Sequence, residues 1–349
     1  MSDIPDMRID EKIENGEKWL TTAKIDYKDF RKLIRCSFFP FLQAVPNEPN
    51  NTIGLLQQCT EKMVKAIAIE SKLFSYEDLE KKYKHNTLKL CIDIIEAIMD
   101  SPLICAFMNE IEGQIMLNSD VKIVSIGEAF SMLNNLKQKV YKDSRTQELS
   151  DWAYQFATMS PEEMQILLSS LLKQYRVTKI SSYVLKSIPL NLLVKNEQDF
   201  NKFNNSIMKQ FNKRGIVIAN RFKGFFEIEE AKKFMDSKPK EKKLELFNHF
   251  ADFMIVGWLL ETLIILSALT FSHGITTRYP TKNNLKSGKI MGSELYTKDL
   301  GIVSNLLLLG KLIGLSLKEL NFKLKDFHYA FEYLIINDLL IPPNLTEPT

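Results

Sequence analysis

Apolar residues Ile13, Gly16, Leu20, Ala23, Tyr27, Phe30 and Ile34 recur at alternating steps of three and four. That spacing places them along one stripe of an amphipathic helix. A second helix is predicted from about Thr52 to Ser71, with Leu56, Cys59, Met63, Ala66 and Ile67 inward, and a third over roughly Asn86 to Met99. Between the first two, Pro40, Pro46 and Pro49 with Asn47, Asn50 and Asn51 predict a loop, because proline lacks a donor and restrains the residue before it. Ser119-Asp120 caps a predicted helix through Val140, and Ser160-Pro161-Glu162-Glu163 is a strong helix start. Gly215–Ala219 is the one strand-like stretch, and the basic run Ser237–Lys243 reads as a linker or a return to the first domain. A helix over Phe250–Phe271, a loop over Gly274–Glu294, a helix opened by Thr297 and Asp299, and a last helix near Asp326–Leu340 complete the pattern. The chain is predicted to be all-α.

The length of 349 residues fits one large or two ordinary domains, and 45% hydrophobic with 26% charged residues predicts a substantial core. Cys36, Cys59, Cys91 and Cys105 lie among apolar neighbours with no C-x-x-C pair, so reduced, buried thiols are expected. The acidic start Met1–Asp6 has no apolar segment behind it, which predicts a cytoplasmic protein. Ala251–Phe271 is apolar enough to imitate a membrane span, but Asp252 and Glu261 interrupt it. A carboxylate facing lipid is expensive, so a core helix is expected and no membrane partner.

The net charge of +3 is too small to name a partner, but its distribution is uneven. Residues 201–243 hold twelve Lys/Arg against five Asp/Glu, with Phe203, Phe211, Phe222, Phe225 and Phe226 interleaved. Basic side chains neutralise phosphates and aromatics stack on single-stranded bases, so Arg214 and Arg221 are candidate nucleic-acid contacts. The competing reading is phenylalanines in a core beneath solvated lysines. Glu61, Lys62 and Lys65 share one helical face, either as part of a phosphate-binding patch or as an intrahelical ion pair. His85 is either a titratable group of that patch or a structural residue that caps the helix or satisfies a buried carbonyl. Arg278, in a predicted loop, either reads phosphate or ties the loop to a carboxylate such as Glu61. No zinc-ligand spacing, Walker A loop, dinucleotide fingerprint or serine elbow occurs, so neither a metal nor a cofactor is expected.

Trp19, Ala23 and Asp26 in the first helix, Gln58, Glu61, Lys62, Lys65 and Ala66 in the second, then Lys84-His85-Asn86-Thr87-Leu88, and finally Thr277-Arg278-Tyr279-Pro280 with Tyr296-Thr297 form an ordered series. In that order they resemble the HEPN superfamily, small antiparallel helical bundles of prokaryotic toxin–antitoxin and defence systems. The resemblance covers residues 10–100 and 250–318. It implies a bundle built from both chain ends, a helical insertion at 101–249 and a C-terminal helix at 319–349 packed on the bundle. Active HEPN ribonucleases carry an arginine, four to six residues, then a histidine. None of His85, His249, His273 or His328 has an arginine at that distance. Lys242 and Lys243 precede His249 there, but lysine lacks the planar fork of a guanidinium.

The resemblance therefore implies a non-catalytic module binding a nucleotide or RNA through Lys65, His85 and Arg278, to which the basic stretch of the insertion adds Arg214 and Arg221 as secondary contacts. It also implies a homodimer and a nucleotidyltransferase-type partner protein. One alternative is a divergent, metal-independent ribonuclease with His85 as general base and Arg278 as phosphate clamp. Another is a structural protein that dimerises through the apolar helices near Phe250–Phe271 and Ile302–Leu317.

Overall fold

The computed structural model describes residues 9–38, 49–99, 101, 115–117, 159–186, 209, 216–218, 240–278 and 301–336. Within them run helices α1 (Ile9–Phe38), α2 (Pro49–Glu70), α3 (Thr87–Met99), α4 (Pro161–Lys186), α5 (Lys240–Arg278) and α6 (Leu306–Ile336). A helical turn at Tyr76–Asp78 continues into a wider π turn at Leu79–Tyr83, and a short one at Gly301–Ser304 precedes α6. The strand-like segment is realised as β2 (Ile216–Ile218), paired antiparallel with β1 (Ile115–Leu117) so that Met116 faces Val217. Three residues per strand leave the protein all-α.

Most of each expected stripe is buried. Leu20, Ala23, Phe30 and Ile34 of α1, and Leu56, Cys59, Met63, Ala66 and Ile67 of α2, are all withdrawn from solvent. Local chemistry sets the helix starts. At α4 the Ser160 hydroxyl accepts from the Glu163 amide at 3.2 Å while Glu163 Oε2 accepts from the Ser160 amide at 2.9 Å, a reciprocal cap. Ser160→Ala is expected to cost about 1 kcal/mol in a denaturant titration. At α3, Asn86 Oδ1 accepts from the Lys89 amide at 3.1 Å.

Two expectations need correction. The Ser237–Lys243 run does not stay a linker to its end, because α5 already includes Lys240–Lys243. Lysine and glutamate are good helix formers, so a polar stretch here can open a helix. Nor is there a break before Asp326. The helix α6 runs unbroken to Ile336, because Leu317, Leu320, Leu324, Phe327, Phe331 and Leu334 keep the three-and-four spacing through the intervening lysines. The helix expected over 119–140 and most of the loop over 274–294 lie outside the described residues.

The chain divides into two compact units. The first comprises residues 1–94, 136–172 and 259–328, and the second residues 95–135, 173–258 and 329–349. In the first, α1 packs on α2, and α6 lies close enough that Phe30 and Tyr27 approach Gly310 and Gly314. Cys91 Sγ lies 4.0 Å from Ser267 Oγ, linking α3 to α5. Both described thiols, Cys59 and Cys91, are free and buried; burial pushes them up, Cys91 to about 12. In the second unit Trp258 packs on Tyr175 with ring centroids 4.6 Å apart, and Phe253 meets Phe331 edge to face at 5.0 Å.

The segment Ala251–Thr270 of α5 is long and apolar enough to cross a membrane, yet 83% of it is buried within the protein. Its Asp252 is itself buried and accepts from the Lys186 ammonium at 2.7 and 2.9 Å. A buried carboxylate satisfied by a lysine of the same unit is what the core-helix reading requires.

Candidate functional site

The residues that meet in the first unit are Trp19 of α1, Glu61 and Lys65 of α2, and His85 in the turn before α3. One helical turn separates Glu61 from Lys65, so their side chains reach each other along the α2 surface. The Lys65 ammonium donates to Glu61 Oε1 at 2.9 Å, and both side chains are only 8% exposed. Above this pair, Lys65 Nζ lies 4.7 Å from the centre of the Trp19 ring, a cation–π contact in a largely desolvated place. Glu61 then reaches outward. His85 Nδ1 stands 3.1 Å from its Oε1 and 3.3 Å from its Oε2.

His85 is the opposite of its anchor in exposure: its side chain is 70% exposed while that of Glu61 is 8% exposed. With a carboxylate at Nδ1, that nitrogen carries the proton and donates. Nε2 is left as a proton acceptor in the neutral ring, or as a second donor in the charged one.

The backbone around His85 is tightly held. Lys84 has a φ of 48°, in the region that favours glycine. Its amide donates to Leu79 O at 2.9 Å, and the Asn86 amide to Tyr83 O at 2.7 Å. A lysine kept in such a conformation costs about 1–3 kcal/mol, which the surrounding contacts must offset. Tyr83 is one of those contacts: it is buried, its hydroxyl bonds Asp93, and its ring meets Phe74 edge to face at 5.6 Å. The turn thus presents Lys84 and His85 side by side at the surface on a rigid base.

Lys65 and His85 therefore belong to one cluster, but they differ in kind. The Lys65 charge is committed to Glu61 and Trp19, so its role is to neutralise the buried carboxylate. Lys62, on the same face by sequence, turns instead to Asp26 of α1 at 2.5 Å. Arg278 is the last residue of α5, and its side chain lies outside the described residues, as do Arg214 and Arg221 altogether. Sequence reasoning grouped Glu61 with Lys65 by spacing; it missed the basic turn, whose signal was the density of Lys81, Lys82, Lys84, His85 and Lys89 within nine residues. Among the described residues no group of three or more His, Cys, Asp or Glu is placed to hold a metal ion.

No protein-family model matches the chain, and neither the curated proteins nor the solved structures include a significant match. The resemblance to the HEPN superfamily thus rests on the short motifs alone.

Proposed function

We propose that this protein is a non-catalytic, cytoplasmic binding module for RNA or a nucleotide, and that the Lys84–His85 turn supplies its phosphate contacts. The observation that carries this reading is the exposed His85 ring held at 3.1 Å by a buried Glu61. Glu61 is paired with Lys65, and from Lys81 to Lys89 the turn carries Lys81, Lys82, Lys84 and Lys89 with no carboxylate. Lys81 is shared with Glu77, whereas Lys84 is exposed beside the imidazole. Basic groups fixed at a surface neutralise phosphates and release counterions. The homodimeric assembly, the nucleotidyltransferase-type partner and the defence setting belong to the same proposal and come from the family resemblance.

The test is anisotropy of a labelled RNA oligonucleotide with the full chain. Affinity is expected to fall steeply between roughly 50 and 200 mM salt, and Lys84→Gln to lower the log–log slope by about one. His85→Ala leaves Glu61 paired with Lys65, so the fold should persist while binding weakens. Absence of binding at low salt would overturn the proposal and leave the structural, dimerising role.

A second reading has one specific observation in its favour. The Glu61–Nδ1 contact fixes the tautomer in which Nε2 is basic, as a general base requires. In that reading His85 takes the proton of an attacking hydroxyl and Arg278 holds the phosphodiester. Labelled RNA left intact by both wild type and His85→Ala would remove it.

A further inference from the structure

Beside the His85 turn the protein keeps two aromatic rings at its surface. Trp19 of α1 is partly exposed, and Tyr76 is 45% exposed. Their ring centres are 6.4 Å apart and their planes are inclined by 33°. Tyr76 does not sit there loosely. It follows Ser75, which caps the turn reciprocally: the Ser75 hydroxyl accepts from the Asp78 amide at 3.1 Å, and Asp78 Oδ2 accepts from the Ser75 amide at 3.0 Å. Trp19 is pinned by Lys65, which also holds Glu61 and, through it, His85. Three successive contacts, each shorter than 5 Å, lead from the indole to the imidazole.

We infer that Trp19 and Tyr76 form a platform on which one unpaired nucleobase stacks while its phosphate meets Lys84 and His85. This rests on the phosphate-binding reading above and adds the part of the ligand that reading leaves open. Charge along the turn gives the direction. Glu77 and Glu80 lie next to Tyr76 and disfavour a phosphate there, whereas a base is neutral and presents a π face. From Lys81 to Lys89 the balance is basic, so phosphate belongs at that end. The preset geometry lowers the ordering cost of binding. A duplex hides its base faces in its own stack, so the ligand is a single strand or a free nucleotide.

The experiment uses the full chain with four probes: a labelled single-stranded RNA, the blunt duplex of the same sequence, inorganic polyphosphate as competitor and a nucleoside monophosphate as competitor. Tyr76→Ala, at an exposed position, and Trp19→Leu are each expected to weaken single-strand binding roughly tenfold. Neither should change the polyphosphate concentration that binds the wild-type site. Single strand should bind more tightly than duplex. Displacement by the monophosphate at similar concentration would make a free nucleotide the ligand; its failure would make the strand the ligand. Wild-type affinity in both aromatic variants, or equal binding of duplex and single strand, overturns the platform. Should Lys84→Gln still weaken binding in that case, the phosphate reading stands alone. No binding of any probe overturns both.

Discussion

Replacing His328 with leucine is expected to destabilise the first unit by about 1–3 kcal/mol, the cost of leaving a buried polar group without its neighbour. His328 Nδ1 stands 3.1 Å from Glu70 Oε2, with the two side chains 0% and 1% exposed. Three helices meet here, since a Cβ on Gly16 of α1 would lie 2.0 Å from Glu70 Oε1, against the end of α2 and the middle of α6. Gly16→Ala should therefore be costly too, despite alanine's better helix propensity, because the carboxylate it displaces has no solvent to move into. The pair also makes stability depend on pH. Burial holds the Glu70 carboxyl above its ordinary 4.5, with Glu17 acting in the same direction and His328 and the Gly16 amide against it. The folded protein thus keeps that proton to higher pH than the unfolded chain, and this group's contribution is lost as pH rises from the ordinary carboxylate range through the raised value. The Glu17 carboxylate lies 3.9 Å from the Lys325 ammonium of α6. In Glu70→Gln that slope should vanish, and urea midpoints measured from about pH 4 to neutrality would show it. Equal slopes in wild type and Glu70→Gln would assign the dependence to other groups.

Much of the fold was legible because periodicity is a local property. The α1 stripe and the inward residues of α2 follow from spacing alone, and the structure buries Leu20, Ala23, Phe30 and Ile34 with the α2 set while leaving Tyr27 half-buried. The Ser160 cap was legible for the same reason, since its partner is three residues away. Continuity of α6 was missed because the last helix was started near Asp326, whereas the apolar spacing from Leu317 runs straight through that point. The candidate site divides along the same line. Spacing joined Glu61 to Lys65, but nothing local says that Lys62 prefers Asp26, that Lys65 caps the Trp19 ring, or that His85 folds back onto Glu61. Those choices depend on how α1 and the turn before α3 pack on α2. His328 carried no visible signal at all: its partner Glu70 lies 258 positions earlier, and a lone histidine on an apolar helix looks the same whether it is buried against a carboxylate or not. Arg278 was assigned to a loop, yet its backbone closes α5. The helix simply runs one further turn past Gly274, which a single glycine permits at a cost of about 1 kcal/mol.

Gly310→Ala is expected to destabilise by about 1–3 kcal/mol, reversing the gain that alanine normally brings inside a helix. The reason is the approach of α1 to α6. A Cβ at Gly310 would meet the Phe30 ring edge at 2.5 and 2.7 Å, and one at Gly314 would meet Tyr27 Oη at 2.2 Å. Phe30 is buried and cannot swing away, and Tyr27 is tethered to the same helix by its hydroxyl, which donates to Gly310 O at 3.0 Å. Tyr27 is only half-buried, so Gly314→Ala should be the milder change, because its ring can turn toward solvent once that bond is released. The two rings stack with centroids 6.0 Å apart, and moving one disturbs the other, so the double variant should not be additive. A double-mutant cycle separates this from a propensity effect. Phe30→Leu alone should destabilise by leaving space against Gly310, and combined with Gly310→Ala it should recover part of the loss, as the added methyl fills that space. Stability raised by Gly310→Ala, with no coupling to Phe30→Leu, would mean that α1 and α6 do not pack through these glycines in solution.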